Sequence, residues 1–97
     1  MWEKFIVNVD DVVLAMKFNT VDCRLVIGGN FRFRRVMFSL LTDYFEKIRI
    51  PKPKEVGYNK IRVEVGVSEI KFWNGVERMK KHGFVVEPVT SHGNIMR

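Results

Sequence analysis

The feature that most constrains this chain is a change in the spacing of its apolar residues. Phe5, Val7 and Val9 alternate with other residues, as do Val12, Leu14, Met16 and Phe18, and later Ile61, Val63 and Val65. A period of two places each set on one face of an extended strand. Elsewhere the spacing becomes three and four. Val36, Met37, Leu40, Leu41, Tyr44, Phe45 and Ile48 form one such stripe, and Phe72, Trp73, Val76 and Met79 form another. Every element therefore has one apolar side. The arrangement that buries all of them is a sheet with helices on one face.

Local signals place the joints. Asp10-Asp11 separates the first two alternating runs and reads as a hairpin turn, and Asn19 to Asp22 reads as a second turn leading into a strand from Cys23 to Ile27. The stretch "RLVIGGNFRFRR", Arg24 to Arg35, admits two readings. If a helix opens at "GGN", Asn30 is its N-cap, and Arg32, Arg34 and Arg35 crowd a helix start where positive charge costs roughly 0.3–1 kcal/mol each. If "GGN" is a hairpin loop, Leu25, Ile27, Phe31 and Phe33 share an inward face, while Arg24, Val26, Arg32 and Arg34 share the other. The hairpin is the favoured reading. The glycine pair is not a nucleotide fingerprint, because it lacks both the third glycine of the dinucleotide motif and the lysine of a P-loop.

A helix is then expected over about 35–48, ended by Pro51 and Pro53, with "IPKPKEVGYN" as a loop and "KIRVEV" as a strand. The second helix is the best-signed element. Ser68 is a good N-cap, Glu69 suits the first turn, and Val67 can staple onto Phe72. Arg78, Lys80, Lys81 and His82 suit the last turn, and Gly83 supplies the left-handed stop, with Phe84 folding back on Met79. A last strand starts at Phe84, and Pro88 puts it at an edge or ends it. The expected fold class is α+β, a two-layer sandwich with a mostly antiparallel sheet, order β-β-β-β-α-β-α-β, and two helices on one face. The last strand–helix–strand unit would be a right-handed crossover joining a parallel pair. Residues 1–90 form a single domain and 91–97 a C-terminal tail.

Charge is uneven along the chain. Residues 1–22 hold two bases and four acids, residues 23–62 ten bases and three acids, and residues 63–97 five bases and four acids. The formal net charge of +6 thus arises in the middle, which points to an anionic partner. Absence of Gln, a single Ala and an abundance of Val, Ile, Lys, Arg and Glu lean towards a thermophile's composition, tempered by six Asn. Lysine-rich surface is common in such proteins, which lowers the weight of net charge. One cysteine, Cys23, allows no intrachain disulfide and suits a reducing, cytoplasmic setting. No apolar run approaches a membrane span, so no membrane partner is expected.

The candidate site is the arginine hairpin, Arg24, Arg32, Arg34 and Arg35, assisted by Lys52, Lys54, Lys60 and Arg62 from the loop and following strand. Bases gathered on one wet face suit phosphate neutralisation with little base readout, on DNA or RNA. Trp2 and Tyr58 lie outside the periodic patterns and are candidates for exposed rings, whereas Phe31 and Phe33 are expected in the core. The alternative is a homo-oligomeric assembly or adaptor protein acting through protein contacts, since Met16, Phe18, Phe84 and Val86 supply more apolar strand surface than a small sheet absorbs. Catalysis has little support. Cys23 with His82 or His92 has no required spacing, Asp10 and Asp11 suffice as a turn, and two histidines with one cysteine match no usual zinc pattern. No cofactor or metal is expected.

Overall fold

A computed structural model describes residues 1–89 of the chain. The order is β1 (Trp2–Val9), β2 (Val12–Asn19), β3 (Arg24–Asn30), a 3-10 turn (Phe31–Phe33), α1 (Arg34–Phe45), β4 (Lys54–Gly57), β5 (Lys60–Gly66), α2 (Glu69–Lys81) and β6 (Val85–Pro88). The strands form one six-stranded sheet, β4-β5-β3-β2-β1-β6, with every neighbouring pair antiparallel. Both helices lie on one face, so the α+β two-layer architecture expected from the sequence is the one observed. The expected tail, 91–97, lies outside the described residues.

Alternation decides the layering. Phe5, Val7, Leu14, Met16, Phe18, Leu25, Ile27, Ile61, Val63, Val65 and Val86 point to the helices, where Met37, Leu40, Leu41, Phe45, Phe72, Val76 and Met79 meet them in a single interior. At its centre three rings stack. Phe72 of α2 lies 4.3 Å from Phe18 of β2 at 5° and 5.9 Å from Phe45 of α1 at 8° (centroid distances and interplanar angles), joining sheet and both helices. The helices approach closely at Gly75, where a Cβ would sit 2.5 Å from the Phe45 ring and 2.7 Å from the Tyr44 carbonyl oxygen. Arg78 donates to that same carbonyl, satisfying an orphaned acceptor at the end of α1.

The capping of α2 is as the sequence implies. Ser68 Oγ accepts from the Lys71 N–H at 3.4 Å, Gly83 is left-handed at φ 93°, and the N–H groups of Phe84 and Gly83 donate to the carbonyls of Met79 and Lys80. The turns at Asp10-Asp11 and 20–23 are present too. Asn19, nearly buried, closes the second by accepting from the N–H groups of Val21 and Asp22 at 2.9 and 3.0 Å.

Four expectations are corrected. There is no strand over residues 31–35: the chain turns at Asn30 into the 3-10 turn and α1. The segment expected as a loop contributes β4, an edge strand paired with β5. The helix stops at Phe45 rather than Ile48, because Glu46 takes a left-handed backbone at φ 56°, and Ile48 is fully exposed. Finally, β5 and β6 run parallel but are not neighbours, since β3, β2 and β1 lie between them. The crossover through α2 therefore spans the sheet, which suits a helix that must cover its middle.

Truncating Phe72 to Ala removes the ring shared by all three layers and is expected to cost about 3–5 kcal/mol in urea unfolding. Gly75→Ala forces the helices apart and should cost about 1–3 kcal/mol; a neutral result would show that they separate freely.

Candidate nucleic-acid interface

Among the described residues, nothing covers the second sheet face. Strand alternation puts Trp2, Lys4, Ile6 and Asn8 of β1 there, with Val13, Ala15, Lys17 and Asn19 of β2. From β3 come Arg24, Val26, Gly28 and Asn30, from β5 Lys60, Arg62 and Glu64, and from β4 Lys54. The pairing registers align these residues in transverse rows. One row reads Glu87, Ile6, Ala15, Gly28, Arg62, Lys54; the next reads Lys4, Lys17, Val26, Glu64. Lys4, Lys17, Arg24, Lys54, Lys60 and Arg62 thus share one face with only Glu64 and Glu87 as acids.

Between the bases runs a trough along the strand direction. Its floor is Ala15 and Gly28, with Ile6 on one side and Arg62 on the other. Lys4, Lys17 and Val26 flank one end, and Val13, Asn30, Val56 and Lys60 flank the other. Val26 is only 5% exposed although it is on the uncovered face, since its row neighbours are long charged side chains whose stems can cover it. Beside the trough, Arg24, Lys52, Lys54 and Arg62 line a second, basic groove with Pro51 and Glu64. At the Lys60 end, Phe31, Glu55, Tyr58 and Asn59 surround a depression of about 440 Å³.

The two adjacent glycines have different reasons for being there. A Cβ on Gly29 would sit 2.7 Å from Leu14 Cδ2, so a side chain there would displace a buried core residue. A Cβ on Gly28 would meet only the Ile61 carbonyl oxygen, at an ordinary 3.5 Å. Packing does not require glycine at 28, and glycine weakens a strand. What it does is keep the trough floor open.

Of the eight bases expected at the site, the structure brings together five. Arg24, Lys52, Lys54 and Arg62 share the basic groove, and Lys60 stands next along β5. Arg32, Arg34 and Arg35 are elsewhere. They follow Asn30 at the start of the helical layer, where Arg32 lies 4.7 Å from the Phe33 ring centre and Arg34 5.3 Å from that of Phe38. The expected hairpin face shared by Arg24, Arg32 and Arg34 does not exist, and Arg24 instead meets Glu64 at 3.1 Å. The physical reason is pairing: β5 hydrogen-bonds to β3 along its whole length, Arg24↔Gly66 to Asn30↔Lys60, and takes the place a fourth hairpin strand would occupy. Lys4 and Lys17 were not expected at the site, because they lie in the segment with more acids than bases; their alternation with Phe5, Met16 and Phe18 was the available signal.

The rings divide similarly. Tyr58 is 91% exposed and Trp2 is partly exposed, with Lys17 Nζ 4.5 Å from the Trp2 ring centre. Phe33 packs against the core, but Phe31 is 52% exposed, which corrects its expected burial. The described residues considered for catalysis lie in separate parts of the fold. Asp10 and Asp11 are exposed at a hairpin tip, Cys23 is half-buried in a turn with φ 53°, and His82 Nδ1 lies 2.7 Å from the Arg78 carbonyl at the end of α2. His92 lies outside the described residues. Among those described, no group of three or more His, Cys, Asp or Glu is placed to hold a metal, and no helix is long and apolar enough to cross a membrane. Comparison with models of known families, with curated proteins and with solved structures returns no match.

Asn30 sets the exit from β3 by accepting the Arg32 N–H at 3.0 Å. Asn30→Ala is expected to lose about 0.5–2 kcal/mol and Asn30→Gly only a few tenths. Thermal unfolding of both variants reads the difference, and equal losses would mean the side chain is not acting as a cap.

Proposed function

We propose that the uncovered sheet face binds nucleic acid, with its bases on the phosphates and its apolar trough against sugars and bases. The observation that carries this reading is the juxtaposition itself: Lys4, Lys17, Lys60 and Arg62 border a trough floored by Ala15 and Gly28. A purely ionic partner such as a simple polyanion needs charge but no apolar floor. A nucleic acid supplies both a charged backbone and flat apolar bases. Gly28 adds support, because the fold would accept a side chain there. The Arg24–Glu64 pair is about half exposed on both sides and contributes at most about 1 kcal/mol, so a phosphate can displace the carboxylate.

Self-association through the same face is a second reading, favoured by exposed Val13 and Val85 beside Ile6. It must contend with Lys4 directly opposite Lys17, a like-charge pair that a second copy would desolvate. Salt separates the two. Phosphate contacts weaken steeply with ionic strength, whereas apolar association persists.

Binding is measured by fluorescence anisotropy with labelled 20-nucleotide single strands and duplexes over a salt series. Lys54→Ala with Arg62→Ala is expected to weaken binding to all sequences and to flatten the log–log salt slope by about 1.4–1.8, at roughly 0.7–0.9 per lost contact. Arg34→Ala with Arg35→Ala should change little; the reverse outcome would move the interface to the helix start. Gly28→Val should leave stability equal or higher by up to ~1 kcal/mol while weakening binding at least tenfold. Unchanged affinity in that variant would take the trough out of the interface.

A further inference from the structure

Resting on the nucleic-acid reading, we infer that Phe31 and Tyr58 form a stacking platform for an unpaired base, which makes single-stranded nucleic acid the ligand. Tyr58 stands at the tip of the β4–β5 hairpin, 91% exposed, beside Asn59 with its left-handed backbone at φ 55°. A tip of this kind needs turn-forming residues, and a large ring there contributes nothing to the interior. Phe31, half exposed, is a second ring outside the core, directly after the Asn30 cap. Both line the depression of about 440 Å³ at the Lys60 end of the trough.

The two rings come from segments that are fastened to each other. The Phe31 N–H donates to the Asn59 carbonyl at 2.7 Å, and Asn30 pairs with Lys60 in the sheet. The backbones that carry the rings are thus held together before a ligand arrives, which lowers part of the entropic cost of binding. Charge orients the ligand. Glu55 on the depression wall repels phosphate, whereas Lys60 attracts it, so the backbone runs on the Lys60 side and the base faces the rings. Bases in a duplex are already stacked on their neighbours and offer no free face, so only an unpaired base can use the rings.

The test uses three labelled 20-mers: an oligo-dT single strand, the same length with abasic sites, and a duplex. The native chain is expected to bind oligo-dT more tightly than either of the others. Tyr58→Ala should weaken oligo-dT binding by roughly 5- to 160-fold, the range of one base–aromatic stack, and bring it towards the abasic level. Tyr58→Phe should stay within about twofold, because the ring face is kept. Phe31→Ala should act in the same direction, with unfolding curves verifying that the cap is intact. The salt slope should not change in these variants, since no charge is lost. Equal affinity of Tyr58→Ala and the native chain for oligo-dT, or tighter binding of duplex, overturns the platform while leaving the phosphate interface standing. No binding of any 20-mer by the native chain overturns both.

Discussion

One stack of three rings holds this fold together and also decides what remains open. Phe72 lies between Phe18 and Phe45, so both helices are drawn to the same side of the sheet. Among the described residues no further apolar element covers the other side. The uncovered face has to be compatible with water, and it achieves this with bases that alternate with core residues along the same strands. Lys4 flanks Phe5, Lys17 lies between Met16 and Phe18, and Arg62 lies between Ile61 and Val63. Packing on one side and charge on the other are thus two halves of a single pattern.

The parts of the fold legible in the sequence were those fixed by local chemistry. Period-two spacing gave β1, β2 and β5, and the signals from Ser68 to Phe84 gave α2 with its cap and stop. The stretch from Gly28 to Arg35 was misread because its local chemistry serves two outcomes. Asn30 is as suitable for a loop as for a cap, and three arginines argue against a helix start by only about 1 kcal/mol each. Burial of Met37, Leu40, Leu41 and Phe45 outweighs that. The 3-10 turn also sets Arg32 and Arg34 over phenyl rings, which offsets part of the cost. The deciding contacts come from residues 59–66, distant in sequence, which no window around the glycines contains.

The candidate site was half legible for a related reason. Counting charge by segment finds clusters along the chain, but a sheet gathers charge across it. Arg62 and Lys54 become neighbours through strand pairing, and Lys17 comes within two strands of Arg62 and three of Lys54 although it is far from both in sequence. Arg32, Arg34 and Arg35 are adjacent in sequence yet are carried away from Arg24 by one turn of backbone. Exposed rings are the opposite case. Tyr58 was recognisable because it fits no periodic pattern, and Phe31 was not, because an imagined strand gave it one.

An acid in the middle of a basic face needs its own explanation. Glu64 is directly opposite Val26 and diagonal to Arg24, which it holds at 3.1 Å. Without it, Arg24, Arg62 and Lys54 would repel one another across adjacent strands near an edge where β4 supplies only four residues. That repulsion acts within the sheet itself, and on the proposed reading a bound phosphate would relieve it. A carboxylate placed there stabilises the sheet by a small amount and, in the proposed complex, would give way to phosphate. In the proposed complex, salt would act on affinity in two opposing ways, weakening both the internal pair and the phosphate contacts that replace it. An exposed pair of this kind is easily exchanged, which suits the proposed binding through backbone charge and ring stacking rather than sequence.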